Sequence, residues 1–220
     1  FDNFNLSLQA TSPCIDGGSS ASTGLSLPAN DLSGKTRIYS ASIDMGAYED
    51  KSALSICGTI SSDQVWDANV ININCNVTIN NGATVTIVPG TKVLFNGFYN
   101  IYVLGAIQAE GTEGDTILFT AANTSTGWDG IQIYNPSTSN DSCLFSYCRF
   151  EYAKRVPSNY QLSGGAISVR SVQKIRVTNN RFINNQATGS YGYGGAMSIM
   201  YSYNYNTIKK FNHNIFENNL

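Results

Sequence analysis

Two short motifs recur at long intervals, and this recurrence constrains the fold more than any other property of the chain. Gly164-Gly165-Ala166-Ile167-Ser168-Val169 returns later as Gly194-Gly195-Ala196-Met197-Ser198-Ile199. Arg181-Phe182-Ile183-Asn184-Asn185 returns as Ile215-Phe216-Glu217-Asn218-Asn219. Phe150-Glu151-Tyr152-Ala153 reads as an earlier, degenerate copy. A period of roughly 30 residues or slightly more belongs to stacked structural repeats. A unit so short cannot bury its own apolar face, so it must stack on its neighbours.

The periodicity within the units is two. It shows in Val77-Thr78-Ile79-Asn80, Thr84-Val85-Thr86-Ile87-Val88 and Ile131-Gln132-Ile133-Tyr134. No stretch holds an i, i+3, i+4, i+7 apolar pattern over three turns. The polar residues are mostly Asn, Ser and Thr, which suit strands and turns better than long helices. The expectation is an all-β chain whose short strands coil upward, inward residues of one coil stacking on the next. Gly-Gly would turn the chain tightly before a strand. Phe182 and Phe216 would stack inside. The Asn pairs would sit in turns, where Asn tolerates left-handed backbone, and their amides could form ladders.

Charge narrows the partners. Only 13% of the 220 residues are charged and the formal net charge is -2, whereas a protein built to neutralise phosphates carries a basic excess. Nucleic acid is therefore not expected. No apolar run approaches the ~20 residues of a membrane helix. The chain opens mid-pattern at Phe1-Asp2-Asn3-Phe4, which reads as a piece of a longer protein. Of the five cysteines, Cys57 and Cys75 bracket a short stretch and are the disulfide candidates of an exported protein. Cys143 and Cys148 are less favoured as a pair and are read as buried thiols within one coil. Cys14 is left as a small buried residue. With no Cys-x-x-Cys and one histidine, His213, a zinc site is poorly supported.

The pattern changes near residue 50. Ser12-Pro13-Cys14-Ile15-Asp16-Gly17-Gly18, Asp31-Leu32-Ser33-Gly34-Lys35-Thr36-Arg37 and Ile43-Asp44-Met45-Gly46-Ala47-Tyr48-Glu49 are loop-rich, while strands recur steadily from Cys57. The boundaries read as a terminal or cap segment at 1–50, a linker at 51–56 and a repeat domain at 57–220. The Gly-Gly-Ala-Ile and Phe-x-x-Asn motifs at Gly164 to Ile167, Phe182 to Asn185, Gly194 to Met197 and Phe216 to Asn219 resemble the repeats of chlamydial polymorphic outer-membrane proteins and related bacterial surface β-helices. Gly58-Thr59-Ile60, Ala83 to Phe95, Gly105 to Thr112 and Gly127 to Ile131 resemble the opening coils of secreted bacterial β-helices. Residues 1–50 resemble the terminal segment of choice-of-anchor surface proteins. The resemblance implies a right-handed single-stranded parallel β-helix over 57–220, incomplete at its C-terminal end, preceded by the C-terminal cap of another β-helix. It also implies a long multi-domain parent of a Bacteroidetes-like lineage, secreted or displayed on the bacterial surface.

Asp16, Asp31, Asp44 and Glu49 concentrate carboxylates in a chain poor in charge. They could hold calcium, since carboxylate oxygens suit a hard cation. We favour a cap in which they bond turn amides and pair with Arg37. No other cofactor is expected. Tyr191, Tyr193, Tyr201, Tyr203 and Tyr205 crowd one region, and alternate strand positions face one way. An aromatic row there would stack on sugars or dock a protein, because Tyr joins an apolar body to a polar tip; the alternative is a loop whose rings cover neighbouring coils. Lys154, Arg155, Arg170, Lys174 and Arg176 are read as solvated outward residues. No catalytic constellation is visible. The leading expectation is a non-catalytic segment for adhesion, display, or binding of glycans or host and cell-surface proteins, with further coils of the parent chain as neighbours. The alternatives are a polysaccharide lyase-like enzyme and a structural spacer.

Overall fold

The computed structural model describes residues 8, 12–14, 17–18, 28–32, 34, 37, 43–48, 53–134, 142–157, 163–172, 174–200 and 208–220. Among the described residues the regular structure is all β, without a helix. Every strand-to-strand pairing among them is parallel.

The pairings sort into rows, each strand lying on its counterpart from the previous coil. The first row runs from 54–56 through 70–73, Lys92–Phe95, Ile117–Ala121, Cys148–Glu151 and Arg181–Ile183 to Ile215–Glu217. The second runs from 58–60 through 77–79, Ile101–Val103, Ile131–Tyr134 and Ile167–Arg170 to Met197–Met200. The third holds Gln64–Trp66, Thr84–Ile87, Ala106–Glu110, Ser142–Ser146, Lys174–Thr178 and Ile208–Asn212. The first two rows share one sheet, because Leu54–Ile60 and Val70–Ile79 run through both. A chain that visits three rows in turn and then repeats is consistent with a parallel β solenoid. Leu54 to Ile56, in the stretch read as linker, already pair with Ile71 to Ile73.

Successive coils lengthen. In the first row Leu54 lies on Ile71, Val70 on Lys92, Lys92 on Leu118, Arg149 on Arg181 and Arg181 on Ile215, and each of these steps takes up more chain than the one before. Part of the added length forms a short fourth row, where Trp128 bridges Ala153 and Lys154–Arg155 pairs with Gln186–Ala187.

Alternation places one apolar set inside. Strands such as Thr84–Ile87 and Lys92–Phe95 alternate between partly exposed and buried residues. Because parallel pairing keeps the register, like positions form columns along the axis. Leu54, Ile71, Val93, Phe119, Phe150, Phe182 and Phe216 make one such column. Its rings stack Phe119 on Phe150 at 4.8 Å, Phe150 on Phe182 at 4.8 Å and Phe182 on Phe216 at 5.0 Å. Phe95 stacks on Trp128 at 4.2 Å. The expected Phe182–Phe216 stack is present; Phe182 is buried, whereas Phe216 is 52% exposed on the last described coil.

The corners obey one rule. Between the third and first rows Tyr147, Asn179 and His213 have positive φ, and after the first row Tyr152, Asn184 and Asn218 do. The next residue inward is then an asparagine in the later coils. Asn180 donates from Nδ2 to the Phe145 carbonyl at 2.9 Å and accepts from the Cys148 N–H at 2.8 Å. Asn185 repeats this with the Phe150 carbonyl at 3.0 Å and the Ala153 N–H at 3.0 Å. Asn214 and Asn219 stack on them, each accepting from the N–H and the amide of the asparagine beneath. These are the expected ladders. Each amide satisfies buried backbone groups that strand pairing leaves unmatched at a corner. The Gly-Gly pairs are required by close approach: a Cβ on Gly165 would strike the Gly195 carbonyl, and Gly194 has φ of 95°.

Cys57 and Cys75 form the expected disulfide between the first two coils. Cys143 and Cys148 are buried thiols outside the disulfide, and Cys14, also outside it, is only partly buried.

Candidate binding surface

Outward side chains form columns by the same register rule, and these columns make the surface of interest. At the turn leaving Lys92–Phe95, the Asn96 amide donates to Asn72 Oδ1 at 3.2 Å and Asn74 Oδ1 at 2.7 Å. Phe98 stands two residues beyond Asn96, 43% exposed. The Asn100 N–H donates to Asn76 Oδ1, and its amide donates to Asp129 Oδ2, both at 3.2 Å.

Asp129 is the centre of a second, more buried group. The Gln132 amide reaches its Oδ2 at 3.4 Å. Arg155 Nη1 donates to the Asp129 backbone carbonyl at 3.1 Å and lies 3.7 Å from Oδ1. Burial raises the Asp129 pKa above its usual value, and the Arg155 charge and the Asn100 hydrogen bond only partly oppose this. Burial likewise lowers that of Arg155, opposed by Asp129. Arg155 is thus an exception among the basic residues read as solvated. Arg176 fits that reading, exposed and 3.9 Å from Glu110. Arg170 lies over the Tyr134 ring at 5.1 Å. Tyr102, which pairs with Gln132 in the same row, has its pKa raised by burial and by Tyr134.

A third feature is a groove of about 480 Å³ at the corner between the third and first rows. Cys148 and Asn180 lie along it, flanked by the left-handed column of Tyr147, Asn179 and His213. Two residues further along each coil runs the outward column Arg149, Arg181 and Ile215, held in register by strand pairing. Glu113 and Thr116 contribute from the preceding coil. Arg149 pairs with Glu151, and Arg181 Nη2 donates to Glu217 Oε1 at 2.7 Å. Burial pushes the Cys148 thiol well up, so it stays protonated and unreactive.

The residues expected to act are only partly brought together. Tyr191 and Tyr193 are 42% and 55% exposed in the connection between Gln186–Ala187 and Met197–Met200, and the Tyr193 N–H donates to the Ser163 carbonyl at 3.2 Å. Tyr201, Tyr203 and Tyr205 lie outside the described residues. Asp31 and Asp44 are buried, while Asp16 and Glu49 lie outside the described residues. The Asp31 carbonyl closes a turn by accepting from the Gly34 N–H, and Arg37 donates to the Gly46 and Ala47 carbonyls at 2.8 and 3.3 Å. Among the described residues no three of His, Cys, Asp and Glu converge as a metal site would need. The groove was not foreseen from the sequence, although Arg149-Phe150 and Arg181-Phe182 carried its signal: each Phe faces in, so each preceding Arg must face out in one column. Comparison with family models, with curated proteins and with solved structures gave no match.

Proposed function

We propose that the chain is a segment of a right-handed parallel β-helix carried by an extracellular protein, and that it acts by binding glycans rather than by catalysis. Crossover connections between parallel strands of one sheet are right-handed in ~98% of cases, which supports the handedness. The Cys57–Cys75 disulfide supports an oxidising compartment outside the cytosol. The coils from Leu54 onward form the helix, and residues 1–50 serve as the closing segment of a preceding one.

One observation carries the choice of binding over catalysis. The partly buried acid Asp129 is bonded to Asn100 and Gln132 and paired with Arg155, whereas amides and an aromatic ring stand outward at Asn72, Asn74, Asn96 and Phe98. Amides near an exposed ring suit sugar hydroxyls and the C–H face of a pyranose. Tyr191 and Tyr193 extend the same chemistry to a later coil. The chain applied to a glycan array is expected to retain a defined set of sugars and to release no unsaturated uronate from acidic polysaccharides. Retention of nothing would leave a spacer. Ultraviolet-absorbing product would make it a lyase.

A further inference from the structure

We propose that the corner groove binds a carboxylate-bearing sugar unit, held between Arg149 and Arg181. This rests on the glycan-binding reading above and names the chemistry and the place. Parallel pairing sets the two arginines one coil apart, roughly 4.8 Å, close to the length of one hexopyranose. Like charges stacked this way repel unless something answers them. Glu151 and Glu217 answer in part, each engaging one terminal nitrogen of an arginine. A guanidinium has five N–H donors in a fixed fork, so each keeps donors for a second acceptor. Two such forks side by side match the oxygens of one carboxylate.

The rest of the groove matches the rest of a sugar. The next position in the arginine column is Ile215, half exposed, which offers an apolar surface to ring C–H groups. Asn179 and His213 also line the groove and supply polar groups for hydroxyls. Glu113 also lines the groove and repels a second anion, so the site favours one acidic sugar in a mixed glycan over a uniform polyanion. The volume of about 480 Å³ falls in the range of small-ligand sites.

The test is titration of the whole chain with a glucuronate-containing tetrasaccharide, with sialyllactose and with lactose, followed by calorimetry. At least one acidic sugar should bind roughly tenfold or more tightly than lactose, and the arm that binds identifies a uronate or a sialic acid as the source. Arg149→Gln with Arg181→Gln should remove that preference, and Glu113→Gln should strengthen acidic binding. Should the double variant fail to fold, Ile215→Glu tests the same site by adding an anion to an exposed position. Acidic binding unchanged in these variants, or equal binding of acidic and neutral sugars, overturns the groove while leaving glycan binding elsewhere intact. Binding of no sugar to the unaltered chain overturns both readings.

Discussion

Asn184 and Asn185 are neighbours with opposite tasks, and the pair shows how single residues set this fold. Asn184 takes φ of 56° and turns the chain, while Asn185 points inward, fully buried, and bonds the coil beneath. Replacing Asn185 with Ala would leave the Phe150 carbonyl and the Ala153 N–H without their partner. The expected loss is about 2–3 kcal/mol, read from urea unfolding with an unchanged slope. Asn184→Val should lose about 1–2 kcal/mol through backbone strain alone, and Asn184→Gly should not. His213 occupies the same left-handed position as Asn179 and Tyr147, which gives the single histidine a structural place. Asp129 makes a prediction in pH. Its folded pKa is raised above the usual 3.8, so the folded state holds the proton more tightly than the unfolded one. Its contribution to stability is therefore fully present below the unfolded pKa and is lost as pH rises through the folded one. A carbon-detected NMR titration should show the Asp129 carboxyl titrating at higher pH in the folded chain than in the urea-unfolded chain.

At the scale of elements, the columns matter more than any one strand. Strands of three to five residues such as Arg181–Ile183 and Ile117–Ala121 are too short to be stable alone. Their stability comes from ring-on-ring and aliphatic stacking between coils. Phe150 lies between Phe119 and Phe182, so Phe150→Ala should cost about 3–5 kcal/mol by opening a cavity with two bare faces. Phe216, half exposed with Phe182 beneath it, should lose clearly less on the same change. Parallel denaturation curves for the two variants check the order. The interior columns were legible in the sequence, because alternation and the recurring Phe place them. The outward columns were harder to read. The step from Arg149 to Arg181 is longer than the step from one Gly-Gly motif to the next, since successive coils differ in length and different corners absorb the difference. No single period therefore aligns the outer surface.

Across the whole molecule, stability is nearest to a sum over adjacent coils. The Cys57–Cys75 bridge ties the two shortest coils and closes a loop with a sequence separation of 18. Loop entropy puts its contribution at about 3 kcal/mol, so Cys57→Ser with Cys75→Ser should unfold those coils at lower denaturant, with hydrogen exchange rising first in 54–79. The all-β class, the stacked repeats, the stacked Phe, the Asn ladders and the disulfide pair are all legible in the sequence. Each of these is written in local alternation or in motifs whose recurrence is fixed by one-coil contacts. Which polar side chains meet was settled at the level of the folded chain. Asp129 reaches Arg155, and Arg149 reaches the level of Arg181, because coils of unequal length are stacked in a particular register. That register is set by the packing of the whole interior, and no window of sequence shorter than two coils contains it.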